Sequence, residues 1–381
     1  MKNFVWQIPT KILFGKDILA TLPRETLNYG QGILFLYGRD SIKKTGLYEK
    51  IKALFKETEG KLIELGGIKP SPTLEQVLEG INLAQKEKIE VILAVGGGSV
   101  IDAGKAIACG VFYKEGFWEL FEKRKSPEKA LPLIAIPTVS GTGSELNEVC
   151  VITNEEKKLK LSLRGRVLYP KVAFLDPTLT FSVPKNYTAY ASFDAFSHVL
   201  ETFLHREHKE EGLTEDFMVV LMKNLIKWSK LAIKEPENFK ARANLMWASS
   251  LALCGLIRAG IGVCRFKIHA LEHTLSGVFG IPHGLGLAIL SQAWLKKYSQ
   301  TPMVKKFFEK VFKTKDSEKG LNLFISWLKE LGIPLSLKEL AIKKEDLKFL
   351  TNQAYFIYEL YGAHREISKE EIEEIFEMAY E

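Results

Sequence analysis

The sequence is poor in cysteine, and the spacing of its few cysteines excludes two classes of protein. The 381-residue chain contains four, none of them in a Cys-x-x-Cys pair: Cys109, Cys150, Cys254 and Cys264. A secreted disulfide scaffold or a cysteine-based zinc module requires more cysteines at closer spacing. We therefore interpret the four as reduced, buried side chains of a cytoplasmic protein.

The chain also lacks long apolar runs and basic stripes. No stretch approaches the ~20 apolar residues of a membrane span, and residues 1–15 contain no sustained apolar segment of a signal peptide. The net charge is +7, but lysines and arginines are scattered among acids rather than collected in a stripe with aromatic residues. This composition argues against a membrane or nucleic acid as partner, whereas a mild positive excess suits anionic small molecules.

The length of the chain and a change in its hydrophobic pattern predict two domains, because 381 residues exceed one core of ordinary size. Up to about residue 182, short apolar strands alternate with helical segments, which is typical of a parallel sheet with helices on both faces. After Pro184 helical periodicity takes over. We predict an α/β nucleotide-binding domain over residues 1–182 and an all-α metal-binding domain over residues 183–381.

The same patterns give the expected segments. Strands are predicted at 32–38, 61–67, 91–99, 131–138 and 172–177, with a further strand directly after Asn147. Helices of the second domain are predicted at 187–205, 214–233, 238–257, 267–279, 284–297, 303–313, 319–331 and 369–379. Residues 361–364 are expected to form a loop, with His364 at the surface.

Histidines are few as well, with seven in the chain, yet five potential metal ligands lie in two short windows. Asp194 and His198 are four residues apart, so a helix would place them on one face, roughly 6 Å apart along its axis. His269 and His273 repeat this spacing, and His283 follows a Gly-Ile-Pro segment where one helix must end. One carboxylate and three imidazoles leave a divalent ion with net positive charge that can polarise an oxygen. The pattern alone leaves open whether the windows meet.

A glycine-rich turn, Gly97-Gly98-Ser99, separates an apolar strand from a helix that carries Asp102 and Lys105. Glycines there let backbone N–H groups approach a pyrophosphate, and the start of the helix adds positive potential. The turn is neither GxGxxG nor a P-loop, so a capped tight turn without a ligand remains an alternative.

A second cluster of hydroxyls and glycines, residues 137–145, also follows a predicted strand and includes Thr138 and Thr142. Such residues suit phosphate and ribose oxygens. Ligands of open α/β sheets bind beyond the carboxyl ends of the strands, so the two loops support each other as a nucleotide site.

Together, these segments resemble the iron-dependent (group III) alcohol dehydrogenase family over nearly the whole chain. The similarity begins with a strand that ends at Phe14-Gly15 and continues through GGGSVIDAGK (96–105), PTVSGTGSELN (137–147), FLDPTLTFSVP (174–184), DAFSHVLE (194–201) and HALEHTLSGVFGIPHG (269–284). Through GSELNEVCVITNE and SIKKTGLYEKI it is most similar to the butanol-dehydrogenase-like branch. The resemblance implies a Rossmann-like parallel sheet followed by an all-α domain, the dehydroquinate synthase-like architecture.

The resemblance also implies roles for individual residues. Asp194, His198, His269 and His283 would bind iron(II) or zinc, while His273 would lie just outside, near the nicotinamide, as our candidate proton relay. The cofactor would contact Gly97, Gly98, Ser99, Asp102, Lys105, Thr138, Thr142 and Leu179. Asp102 is predicted to take part in catalysis as well. The reaction would transfer hydride between NAD(P)(H) and a small aliphatic alcohol or aldehyde.

The choice between NAD and NADP depends on the loop Gly38-Arg39-Asp40-Ser41, which follows the first long strand and is expected to contact the cofactor. A carboxylate there accepts the ribose hydroxyls of NAD, whereas an arginine accommodates a 2′-phosphate. By register with the family, Arg39 stands where NAD-preferring members carry Asp, which favours NADP. A shift of one residue to Asp40 would reverse the preference, and both side chains could simply be solvated.

Two other functions are compatible with the same motifs. A dehydroquinate-synthase-like or polyol-type enzyme would share the architecture and the metal position, but would act on a polar ring and require more basic residues near the site. The flank of the metal motifs is apolar (Leu271, Leu275, Val278, Phe279, Ile281), which favours a small aliphatic substrate. A non-catalytic metal-binding protein would not need two phosphate-type loops. We expect a homodimer, the usual outcome in such relatives.

Overall fold

The structure, a computed structural model, describes residues 1–113, 116–363 and 365–381; His364 lies outside the described residues. Eight strands precede the long helices: β1 (Lys11–Phe14), β2 (Gly32–Tyr37), β3 (Lys61–Leu65), β4 (Val91–Gly96), β5 (Leu133–Pro137), β6 (Val149–Asn154), β7 (Leu159–Arg164) and β8 (Val172–Leu175). Six helices lie among them: α1 (Leu22–Leu27), α2 (Ser41–Lys44), α3 (Leu47–Phe55), α4 (Leu74–Lys86), α5 (Gly98–Gly110) and α6 (Phe117–Glu122).

Six of the strands form one parallel sheet in the order β1-β8-β5-β4-β2-β3, and β6 and β7 form a separate antiparallel pair. The central strands are apolar without alternation, because both faces of a parallel sheet are covered. Every residue of β4 is buried, and so is each residue of β2 after Gly32. The predicted parallel sheet is therefore confirmed.

The order of the strands creates a switch point at the carboxyl edge. The chain passes from β2 outward to β3 and then returns to the other side of β2 to form β4. Connections that leave in opposite directions open a crevice between two neighbouring strands, and ligands of such sheets bind there. The turns that begin at Gly38 and Gly97 lie on either side of this crevice.

Beyond Pro184 the chain is helical: α7 (Lys185–His205), α8 (Leu213–Lys234), α9 (Phe239–Leu253), α10 (Lys267–Phe279), α11 (His283–Lys297), α12 (Pro302–Phe312), α13 (Ser317–Glu330), α14 (Leu347–Leu360) and α15 (Lys369–Tyr380). The all-α second half is thus confirmed. Sequence patterns missed α14 and extended α9 to residue 257, whereas α9 ends before Gly255, which has a left-handed φ of 86°. None of the described helices has both the length and the apolar character of a membrane-spanning segment.

The chain forms two compact units, each made of segments from more than one part of the sequence. The sheet unit comprises Gln7–Val183 and Pro236–Ser250, and the helical unit comprises Met1–Trp6, Pro184–Glu235 and Leu251–Glu381. The main division lies between Val183 and Pro184. The two domains expected from the sequence, residues 1–182 and 183–381, stay a prediction. Residues 1–6 belong to the helical unit, and most of α9 belongs to the sheet unit.

Candidate functional site

Helix α7 carries the first two residues of the candidate metal site. Asp194 and His198 are both buried and lie one turn apart on the same face of the helix. Their side chains converge, with His198 Nε2 at 3.5 Å from Asp194 Oδ1. The spacing seen in the sequence therefore corresponds to a real juxtaposition of side chains.

Two further helices bring the second window of histidines to the same point. His269 lies in the first turn of α10, which ends at Gly280 in the left-handed conformation, with a φ of 66°. Pro282 then precedes α11, and His283 is its first residue. The next residue must be glycine, because a Cβ on Gly284 would lie 1.9 Å from the carbonyl oxygen of Tyr190 in α7. This close approach of α11 to α7 carries His283 to Asp194.

The three imidazoles surround one carboxylate oxygen. The Nε2 atoms of His198, His269 and His283 lie 3.5, 3.8 and 3.8 Å from Asp194 Oδ1. Four donor atoms bound tetrahedrally to one transition-metal ion are about 3.3–3.6 Å apart, since each bond is about 2.0–2.2 Å long. The observed spacing is thus close to that of a metal site. His273 is buried outside this group, with its ring 5.6 Å from that of His283.

The electrostatics of the group suit a cation. Burial would raise the pKa of Asp194, but His198, His269 and His283 outweigh it and hold the pKa well below its usual range. Burial lowers the pKa of His198 to about 3 against the attraction of Asp194. This ring is therefore neutral near pH 7 and keeps the lone pair that a metal requires.

Two buried glutamates, Glu201 and Glu272, were not predicted from the sequence. A carboxylate oxygen of Glu201 lies 2.5 Å from His269 Nδ1, and the Glu272 carboxylate is hydrogen-bonded to His283 Nδ1. Burial would raise the pKa of Glu201, but His269 and His205 outweigh it and lower the pKa to about 2. Burial would lower the pKa of His269, but Glu201 and Asp194 outweigh it and raise the pKa to about 9. A metal that binds His269 Nε2 would therefore displace a proton from this ring. A carboxylate behind an imidazole is the usual partner of a metal-binding histidine.

The donor set fits a divalent transition metal. Asp194 Oδ1 and His269 Nε2 are buried without a hydrogen-bond partner within the described ranges, although both are strong polar atoms. All ion pairs of Asp194 and Glu201 in that part of the chain are with histidines. Buried carboxylates require a positive partner, and one carboxylate with three imidazoles is a combination that iron and zinc accept.

The sheet unit holds the candidate nucleotide site at its carboxyl edge. Gly97 precedes α5, and Gly98 and Ser99 form its first turn, so their N–H groups have no partner within the helix. A Cβ on Gly98 would lie 2.3 Å from Thr142 Oγ1, so only glycine permits this approach of the two loops. Thr138 follows β5, the neighbour of β4, and donates its N–H to the Gly96 carbonyl. The predicted loops therefore come together.

The remaining predicted cofactor contacts lie at the same edge. Gly38 to Ser41 directly follow β2, where Gly38 is half-buried and the next three residues are exposed. Leu179 follows β8 in a short 3₁₀ helix and packs partly against the core of the sheet. The edge thus presents loops from four strands: β2, β4, β5 and β8.

The position of Lys105 differs from the prediction. Its side chain is fully buried, and Nζ donates to the carbonyl oxygens of Asn147 and Val149 and to Asn147 Oδ1, at 2.8–2.9 Å. An ammonium has three N–H bonds, and all are used within the fold, so Lys105 does not face a pyrophosphate. The prediction failed because helical spacing from the glycine turn does not reveal which way a long side chain points.

The carboxylate of Asp102 also makes its hydrogen bonds within the fold. Its carboxylate accepts the Ser144 hydroxyl at 2.5 Å and the Val151 N–H at 3.0 Å. Burial raises the pKa of Asp102, and Lys105 and Ser144 oppose the increase. These contacts hold the loop that carries Thr142 against α5. They favour a positioning role for Asp102 over the predicted catalytic one.

Comparison with known proteins identifies the family. Residues 9–177 match the model for iron-containing alcohol dehydrogenases, and residues 188–380 match the C-terminal domain of the Fe-containing alcohol dehydrogenase family. The chain is 35% identical to NADH-dependent butanol dehydrogenase A of Clostridium acetobutylicum, with 100% of both chains covered. It is 33% identical to the NADPH-dependent aldehyde reductase YqhD of Escherichia coli, with 89% of each covered.

A solved structure agrees with these matches. The crystal structure of NADH-dependent butanol dehydrogenase A from Thermotoga maritima superimposes with a TM-score of 0.95 at 36% identity, and covers 100% of this chain and 99% of that one. The predicted family, its butanol-dehydrogenase-like branch and the enzyme class, an NAD(P)-dependent, metal-dependent alcohol dehydrogenase or aldehyde reductase, are confirmed. The chain belongs to the iron-containing alcohol dehydrogenase family.

Proposed function

We propose that this chain reduces small aliphatic aldehydes, and oxidises the matching alcohols, with a metal at Asp194 and NADP(H) at the carboxyl edge of the sheet. The observation that carries the proposal is the convergence of three imidazole Nε2 atoms on one carboxylate oxygen, at 3.5–3.8 Å. We assign nucleotide binding to residues 1–182 and metal binding to residues 183–381.

The metal would be held by Asp194, His198, His269 and His283. Iron(II) is our first choice because of the family, with zinc as the alternative for the same ligands. When bound, the ion supplies a Lewis acid that polarises the oxygen of the substrate. The chain contributes a buried, negatively charged cradle that holds the ion in one position.

The cofactor would be held by the loops after β2, β4, β5 and β8. The N–H groups of Gly98 and Ser99 at the start of α5 suit the pyrophosphate, and Thr138 and Thr142 offer hydroxyls beside them. Leu179 offers apolar surface for the adenosine. When bound, the nicotinamide supplies or accepts the hydride.

The preference for NADP(H) rests on the charge of the loop after β2. Arg39 is exposed, so its guanidinium can reach a ligand. Lys43 in α2 adds a second positive charge, with Nζ 5.3 Å from the ring centroid of Tyr48. Within residues 38–43, two cations stand against the one carboxylate of Asp40, which favours a 2′-phosphate. Named relatives include both NADH-dependent and NADPH-dependent enzymes, so NADH is the second candidate.

His273 is our candidate for moving the proton that accompanies hydride transfer. It is buried one helical turn after His269, and its ring lies 5.6 Å from that of His283. An imidazole can take up or release a proton at a ring nitrogen near neutral pH. In this proposal His273 is not one of the four metal ligands, although it lies close to Glu272 and His283.

The substrate would meet apolar side chains next to this group. Leu271 and Leu275 are fully buried in the helical unit, but Val278, Phe279 and Ile281 stay partly exposed between His273 and His283. Uncharged apolar surface favours a short aliphatic chain over a phosphorylated or carboxylated ring. The named butanol dehydrogenases among the relatives support the same class of substrate. A homodimer and a cytoplasmic location stay predictions.

Removal of the metal should abolish turnover without preventing cofactor binding. We expect chelated protein to reduce butanal with NADPH at no more than about 1% of the initial rate, since a Lewis acid contributes several kcal/mol. Adding iron(II) or zinc should restore the rate, as followed by nicotinamide absorbance. NADPH fluorescence should show binding in both forms. Full activity in metal-free protein would contradict the proposal.

Replacement of His273 separates a proton carrier from a metal ligand. In His273→Ala we expect kcat to fall by about 100-fold or more, the usual contribution of a general acid or base. Metal content, measured by mass spectrometry, should stay at the wild-type level. His269→Ala is the matched control and should lose the metal. If both variants lose metal equally, His273 is a ligand and our assignment is wrong.

Replacement of Arg39 tests the cofactor preference. In Arg39→Asp we expect kcat/KM for NADPH to fall about tenfold or more and kcat/KM for NADH to rise, because the carboxylate repels a 2′-phosphate and accepts ribose hydroxyls. Lys50→Asp in α3 makes the same change of net charge and should leave both values near wild type. An unchanged NADPH/NADH ratio in Arg39→Asp would remove Arg39 from the site.

A further inference from the structure

We infer that Glu201 and Glu272 are positioning residues, which fix two of the metal-binding imidazoles from behind and thereby strengthen the hold on the metal. This inference rests on the metal site of the proposed function. It concerns two carboxylates that lie outside the ligand group itself. Both side chains are fully buried, so their contacts are specific rather than solvent-mediated.

Glu201 connects α7 to the start of α10. One carboxylate oxygen lies 2.5 Å from His269 Nδ1 and accepts the His269 N–H at 3.1 Å, and the other accepts the Ile268 N–H at 2.6 Å. The first N–H groups of a helix have no partner within it, and a carboxylate there also interacts favourably with the helix dipole. Glu201 thus fixes both the beginning of α10 and the orientation of its first histidine.

Glu272 holds the side chain of His283, the first residue of α11. Its carboxylate is bonded to His283 Nδ1 and accepts the Ser276 hydroxyl at 3.2 Å. Gly286 makes room for it, because a Cβ at that position would lie 2.9 Å from Glu272 Cγ. The carboxylate of α10 therefore occupies a space that α11 leaves open one turn after His283.

The two contacts determine which nitrogen faces the metal. An imidazole that donates its Nδ1 proton to a carboxylate keeps a lone pair on Nε2, and the carboxylate makes that lone pair more basic. In both His269 and His283, Nε2 is the atom that lies 3.8 Å from Asp194 Oδ1.

His198 provides an internal comparison. Its Nδ1 is buried without a hydrogen-bond partner in the part of the chain that the structure describes. Among the three histidines, a carboxylate contacts Nδ1 of His269 and of His283 but not of His198, within the described residues. These two lie on elements that must be brought to α7 from elsewhere in the chain, which is where a positioning contact is most needed.

The test is the affinity for metal of Glu201→Gln and Glu272→Gln. Glutamine keeps the size and one acceptor oxygen but removes the charge. We expect the dissociation constant for zinc, measured in the full-length protein by competition with a chromogenic chelator, to rise 10–100-fold in each variant. Glu215→Gln is the matched control, because Glu215 is a buried carboxylate of the same unit that pairs with Arg206 and Lys306. Its zinc affinity should equal that of the wild type.

The outcomes are distinct. Wild-type affinity in both glutamine variants, or an equal loss in Glu215→Gln, would overturn the inference. If the wild-type protein binds neither zinc nor iron(II), the proposed function fails first; if it binds iron(II) alone, the same comparison of variants is made with iron(II). Circular dichroism of the metal-free proteins checks folding; if Glu201→Gln loses the cap of α10 and unfolds, Glu272→Gln alone decides, since the hydrogen bonds described for Glu272 are with the side chains of Ser276 and His283.

Discussion

Asp194 carries a negative charge where water is largely excluded, and side chains from three helices of the helical unit surround and balance that charge. A buried carboxylate is costly unless positive or hydrogen-bonding groups surround it. Here three imidazoles from three helices face the same oxygen, and two of them are in turn held by buried glutamates. A cation at this point completes a cluster that otherwise contains more negative than positive charge.

Close packing makes this arrangement possible. Without a side chain at Gly284, the start of α11 can touch the backbone of α7, and without one at Gly286, Glu272 can fill the space behind His283. The sheet unit uses the same device at Gly98, where the start of α5 meets Thr142. In both units, a neighbouring group approaches the start of a helix so closely that only glycine fits there. An ion or a phosphate is expected to bind beside each of these helix starts.

Sequence patterns predicted those features that depend on local spacing. The i, i+4 pair of Asp194 and His198, the helix break before His283 and the glycine turn after β4 all lie where they were expected. What failed depends on side-chain direction or on distant partners. Lys105 follows the glycine turn at a spacing suitable for a phosphate contact, but its ammonium donates to backbone carbonyls of residues more than forty positions away. Glu201 and Glu272 each lie three residues after a histidine, a signal that the motif contained but that many surface glutamates share.

The most direct test of the account is to locate the metal. Anomalous diffraction at the iron edge, from crystals grown anaerobically with iron(II), should show one peak per chain. We expect that peak within about 2.0–2.3 Å of an Asp194 carboxylate oxygen and of Nε2 in His198, His269 and His283. A peak bound by His273, a peak on the Nδ1 side of His283 next to Glu272, or no peak at Asp194 would contradict the account.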